Sequence, residues 1–207
     1  MLRVPLKDGV TRLITPLSRS LLRAGISPNA MTLAGALGTW ISALFFFPRG
    51  DLFIGTLVVT VFLLSDLFDG TMARLDGSKG SRFGALLDST LDRISDAIVI
   101  FALMIWAESE NFSAQKNLID ANLTIALLAI SLLTGFLISY IRARAEALAI
   151  SCDVGVAERP ERLIVLLVGT GFYGLGVMAA LPLALVLLVS INLVTVIQRI
   201  IVVYRAS

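Results

Sequence analysis

Residues Ser65–Asp96 read SDLFDGTMARLDGSKGSRFGALLDSTLDRISD, and apolar segments flank them on both sides. Four aspartates stand in this run: Asp66 and Asp69, then Asp88 and Asp92. A carboxylate in a membrane segment is costly and marks a functional site by default. Asp66 and Asp69 are spaced i, i+3 and Asp88 and Asp92 i, i+4, so each pair lies on one face of its helix. Two antiparallel neighbours joined by a loop of about ten residues bring both pairs together. Four carboxylates so placed repel one another unless cations sit between them. Two divalent ions about 3.5–4 Å apart neutralise such a cluster and clamp a phosphate.

The rest of the chain agrees with a membrane setting. Of 207 residues, 57% are hydrophobic and only 15% charged, and the mean hydropathy is +0.90. Soluble domains carry about a quarter charged residues. A span needs about 20 apolar residues. Six segments qualify, near 30–48, 53–74, 84–107, 119–146, 161–178 and 180–203, the last two separated by a tight turn near Leu181-Pro182. The expected fold is an all-α integral membrane protein, with six transmembrane helices over 26–207 preceded by an amphipathic interfacial helix over 1–25. Pro5 and Pro16 interrupt that first segment, Gly25 is a plausible stop, and a disordered basic tail fits the same pattern.

Charge placement sets the orientation. Lys79, Arg82, Arg142, Arg144, Arg159, Arg162, Arg199 and Arg205 fall on one side, Arg49 and Lys116 on the other. The positive-inside rule then puts both termini and the aspartates at the cytoplasmic face of the plasma membrane. There is no histidine and one cysteine, Cys152. That removes Cys/His zinc sites, His-ligated haem, intramolecular disulfides and a His general base. Oxygen ligands favour Mg²⁺ or Mn²⁺. A net charge of +2 gives no case for nucleic acid.

Glycine beside an aspartate, as at Gly70, lets a ligand or helix approach the backbone. Gly84 lies one turn before Asp88 and clears the mouth of the site; with Gly80 it also makes a GxxxG, which alone signals helix packing. Arg74 suits a carboxylate or a diphosphate. The pattern Asp66-x-x-Asp69-Gly70-x-x-Ala73-Arg74, nine residues, Gly84-x-x-x-Asp88-x-x-x-Asp92 resembles the signature of the CDP-alcohol phosphatidyltransferases at all eight positions. The resemblance implies that Asp66, Asp69 and Asp88 bind two divalent metals, and that Asp92 contacts one metal and acts as general base. It implies that Gly70, Ala73, Arg74 and Gly84 line the CDP moiety of a CDP-diacylglycerol, with Asn29 and Thr32 near the nucleotide. It also implies a homodimer among membrane lipids.

A second stretch is basic. Arg142 and Arg144 close the fourth span, Arg159 and Arg162 open the fifth around Pro160, and Arg199 lies late in the sixth. Such a cluster suits an anionic acceptor such as a sugar phosphate, and equally suits plain topology with anionic lipid contacts. Tyr140–Glu146 followed by Glu158–Arg162 is similar to the branch that uses inositol phosphate, except that Arg142 stands where that branch often carries lysine. The resemblance implies that Arg142, Arg159, Arg162 and Arg199 hold the acceptor phosphate. The alternatives are another acceptor such as glycerol 3-phosphate (a phosphatidylglycerophosphate synthase) and, from a different class, a cation or proton transporter. A transporter calls for carboxylates spread through the membrane depth, whereas these gather at one face.

Asp96, one turn past Asp92, lies outside the signature. It reads as a hydrogen-bonded polar group, a partner for a basic neighbour, or a support for the metal ligands. Gly169-Thr170-Gly171-Phe172-Tyr173-Gly174 matches GxGxxG but has no acidic residue after it, so it reads as helix packing.

Overall fold

The computed structural model describes residues 14–75, 81–114 and 117–206; the side chains of Asp66, Leu67 and Asp69 are outside the described residues, as are the expectations placed on residues 1–13 and on Lys79. Every element among the described residues is helical. They are α1 (14–23), α2 (Pro28–Phe46, extended by a 3-10 turn Phe47–Arg49), α3 (Leu52–Leu63), α4 (Asp66–Leu75), α5 (Arg82–Ala107), α6 (Glu110–Ser113), α7 (Ala121–Ala147), α8 (Arg159–Gly174) and α9 (Ala180–Ala206).

Three of these are long and apolar enough to cross a membrane: α2 with its 3-10 extension, α7 and α9. At 1.5 Å per residue, α9 reaches about 40 Å, more than a hydrocarbon core of about 30 Å. Its outer face exposes Leu183, Val186, Leu187, Ile197 and Ile200, a surface that suits lipid. The chain is an integral membrane protein. Helix α5 is also long, but Asp88, Asp92, Arg93 and Asp96 make its first half too polar to read as a span by composition.

The structure departs from the expected spans in two places. The segment expected over 53–74 is two helices, broken at Leu64-Ser65. The Ser65 amide bonds Phe62 rather than the residue four back, and Phe68 restarts the ladder from Ser65. Nothing in an apolar run announces that tightening; Ser65 is buried where α2 comes closest. A Cβ on Gly35 would lie 1.7 Å from Ser65 Oγ, and one on Gly38 would run into the Phe62 ring. The turn expected near Leu181-Pro182 lies instead at Leu175–Ala179, with Gly176 at φ +93°. Pro182 sits in the first turn of α9, where a missing N–H costs no helical bond.

Helix α1 ends where expected. The Gly25 amide bonds Leu22, the Ile26 amide bonds Leu21, and Gly25 has φ +81°. These are the paired bonds of a left-handed C-terminal cap. Pro16 lies in its first described turn, and Ser18 is buried while Arg19 and Arg23 are exposed.

The described chain divides into two units. The first contains residues up to Ser42 and Val58–Ser95; the second contains Ala43–Leu57 and the chain from Asp96. In the second unit, α9 packs on α7 and on α8. Small and polar residues let membrane helices close on one another. Buried Asn192 of α9 donates to Thr134 Oγ1 (3.0 Å) and to the Ser131 carbonyl (3.3 Å). The GxGxxG run packs helices as read. A Cβ on Gly169 would sit 2.3 Å from Ala184 Cβ, Gly171 faces Thr56, and Gly174 lies on the backbone of Phe53. Gly169→Leu is expected to destabilise the protein by about 1–3 kcal/mol through overpacking, visible as earlier thermal unfolding in detergent.

Candidate active site

In the first unit, the site is built on a stripe of α5. Ser81 caps this helix, its Oγ accepting from the Gly84 amide (2.8 Å). Gly84, Asp88, Asp92 and Ser95 follow at helical spacing on one face. Both ends of the stripe lie against α2, and the Ser95 end is hydrogen-bonded to it. A Cβ on Gly84 would come within 2.9 Å of Asn29 Oδ1, and Trp40 Nε1 donates to Ser95 Oγ at 2.9 Å. Asn29 to Trp40 and Gly84 to Ser95 are equal steps in the same direction, so α2 and α5 run parallel here. Asp88 and Asp92 lie between these two contacts.

Both carboxylates are half-buried. The Asp92 side chain is 19% exposed, and Arg93 Nη1 stands 3.8 Å from its Oδ2, an ion pair longer than a hydrogen bond. Helix α4 begins at Asp66, directly after the Leu64-Ser65 break that α2 holds. Gly70 is exposed, and a Cβ there would meet nothing within 4 Å, so its face is open to a ligand. Arg74 is exposed and donates from Nη2 to Thr71 Oγ1 (3.1 Å). Ala73 is half-buried on the same helix. Thr32 is buried and its hydroxyl donates to the Pro28 carbonyl (3.1 Å), while Ser27 Oγ caps α2 through the Ala30 amide.

Among the described residues, no group of three or more His, Cys, Asp or Glu stands ready to hold a metal. Asp88 and Asp92 supply one pair; the side chains of Asp66 and Asp69 lie outside the described residues. The donor chemistry fits a hard divalent cation, because the oxygens are carboxylate, half-buried and one helical turn apart on α5.

The arginines expected to hold an acceptor phosphate belong to the second unit. Arg159, at the start of α8, donates from Nε to Asp96 Oδ1 at 3.1 Å. Arg142 is 42% exposed and bonds Glu146 (3.1 Å) and Asp153 (2.7 Å). Arg162 is buried on α8. Arg199 is buried, with Nε on the Val154 carbonyl (2.9 Å) and Nη1 on the Ile138 carbonyl (2.5 Å). It thereby ties the α7–α8 connection to α7, a use that charge placement alone did not reveal. Glu158 and Glu161 form a capping box around Pro160. Sequence reasoning had passed over Asp153. Nothing in spacing links it to Arg142, whereas Glu146, four residues on, was a legible partner.

Residues 25–204 match the pattern of the CDP-alcohol phosphatidyltransferases. The chain belongs to that family. It is 41% identical over 204 residues to the phosphatidylinositol phosphate synthase of Streptomyces avermitilis, covering 95% of this chain and 80% of the relative. Two crystal structures of Mycobacterium tuberculosis phosphatidylinositol phosphate synthase are similar at 40% identity. The one with CDP-DAG bound has a TM-score of 0.84, covering 93% of this chain and 94% of that one. The complex with manganese and citrate has a TM-score of 0.83, covering 92% and 88%. This CDP-alcohol phosphatidyltransferase is therefore a membrane-embedded transferase of phospholipid synthesis.

Proposed function

We propose that the protein transfers the phosphatidyl group of CDP-diacylglycerol to inositol phosphate, releasing CMP and forming phosphatidylinositol phosphate. The observation that carries the acceptor is the likeness of 95% of the chain to a phosphatidylinositol phosphate synthase. Asp66, Asp69, Asp88 and Asp92 hold two divalent ions, Mg²⁺ or Mn²⁺. When bound, these ions neutralise the diphosphate and hold charge on the departing oxygen. Asn29, Thr32, Gly70, Ala73, Arg74 and Gly84 seat the CDP group, and the open face at Gly70 supports that role.

The acceptor hydroxyl oxygen forms a bond to the β-phosphorus as the bond from that phosphorus to the CMP oxygen breaks. Asp92 takes the hydroxyl proton, and CMP leaves with the bonding pair. Positioning and electrostatics supply most of the acceleration in such transfers. Arg142, Arg159, Arg162 and Arg199 hold the acceptor phosphate, Arg199 also keeping its tie to the α7–α8 connection.

Six crossings complete the reading, with α3–α4, α5 and α8 supplying the three beyond α2, α7 and α9. Both termini and the site face the cytoplasm at the plasma membrane. Residues 1–25 lie on the inner leaflet ahead of a 26–207 catalytic domain, and the protein works as a homodimer. The test is CMP release by the purified protein, with CDP-diacylglycerol, inositol phosphate and metal omitted in turn. Release that needs all three is expected. Release independent of metal, or ion flux in liposomes lacking CDP-lipid, would overturn the proposal.

A further inference from the structure

We infer that Asp96 is a positioning residue that sets Arg159 for the acceptor phosphate, an inference that rests on the acceptor role proposed for Arg159. Asp96 lies outside the eight signature positions, and the reaction as written gives it no task. Its Oδ1 accepts from Arg159 Nε at 3.1 Å across 63 residues of sequence, and the two side chains are only 17% and 15% exposed.

Little water reaches the pair, so either charge without the other would carry a large desolvation penalty. The bond is also directional. A guanidinium is a planar fork, so a carboxylate on Nε fixes the plane in which the remaining N–H groups point. An unheld arginine loses side-chain freedom on taking up one orientation, and prior anchoring removes part of that cost from binding. Arg142 is a different case, because its carboxylate partners Glu146 and Asp153 are exposed and compete with solvent. Arg199 differs again, its guanidinium resting on backbone carbonyls. Arg159 thus has a carboxylate partner sheltered from bulk water, an arrangement suited to presenting a fixed fork to a phosphate.

The experiment is steady-state CMP release by the full-length protein in lipid nanodiscs, with CDP-diacylglycerol and inositol phosphate varied separately. Asp96→Ala is expected to raise KM for inositol phosphate about ten-fold, the scale of one charge-assisted hydrogen bond, with KM for CDP-diacylglycerol within about two-fold of wild type. Asp96→Asn, whose amide oxygen still accepts from Nε, is expected to recover most of that loss. Adding Asp96→Ala to Arg159→Ala should leave the acceptor KM where Arg159→Ala alone puts it. Should Asp96→Ala not fold, Asp96→Glu displaces the same oxygen while keeping the charge, and its acceptor KM carries the test. A purely structural pair would move both KM values together or lower kcat alone, and either result overturns the inference. A wild-type protein indifferent to inositol phosphate overturns the acceptor reading and this inference with it. A responsive wild type with an unchanged Asp96→Ala overturns this inference alone.

Discussion

Asp92→Asn is expected to lower kcat for CMP release by about three orders of magnitude while leaving the protein folded. A positioned general base contributes about 10²–10⁴-fold. The amide is nearly the same size as the carboxylate but cannot accept the hydroxyl proton, and it is a poorer metal ligand. No histidine exists in the chain to take over. The Asn side chain keeps the shape of Asp92 and still accepts a hydrogen bond, so the fold should be retained. The check is kcat at saturating substrates beside a thermal unfolding curve. A variant keeping more than about a tenth of wild-type turnover would show that another group takes the proton, since even a weak base effect exceeds that margin.

Removing divalent cations with EDTA is expected to take activity to background, and added Mn²⁺ or Mg²⁺ to restore it. A bound metal acting as Lewis acid on the departing CMP oxygen would be worth several kcal/mol, and chelation removes it. Asp88→Asn should raise the Mn²⁺ concentration needed for half-maximal activity by at least about ten-fold, because changes even beyond the direct ligands cost that much. The readout is a Mn²⁺ titration of CMP release in wild type and variant. Activity surviving exhaustive chelation, or an unchanged titration in Asp88→Asn, would contradict the carboxylate site.

The aspartates were legible because a carboxylate in an apolar chain needs a reason, and four at helical spacing supply one. Their partners were less so. Periodicity put Asp88 and Asp92 on one face of α5, but only three-dimensional packing shows Asn29 of α2 lying against one end of that face and Trp40 bonded to the other. The glycine run 169–174 was legible as packing because a dinucleotide site needs an acidic residue that never follows. The break at Leu64-Ser65 was not, since it follows from α2 pressing Gly35 and Gly38 onto Ser65 and Phe62, a contact between distant segments. Pro182 misled because proline marks a turn and the first turn of a helix alike; Gly176, at positive φ, was the better marker. The placement of the basic residues does not say what each one touches. Arg199 spends two donors on backbone carbonyls and Arg159 holds Asp96, and neither pairing follows from sequence spacing.

The most direct test of phosphatidyl transfer to inositol phosphate is a competition. The purified protein receives CDP-diacylglycerol, Mg²⁺ and equal concentrations of inositol phosphate and glycerol 3-phosphate, and the lipid product is identified by mass spectrometry. Phosphatidylinositol phosphate as the dominant product, formed in step with CMP, is the expected result. Phosphatidylglycerophosphate as the dominant product, or CMP release without either lipid, would contradict it.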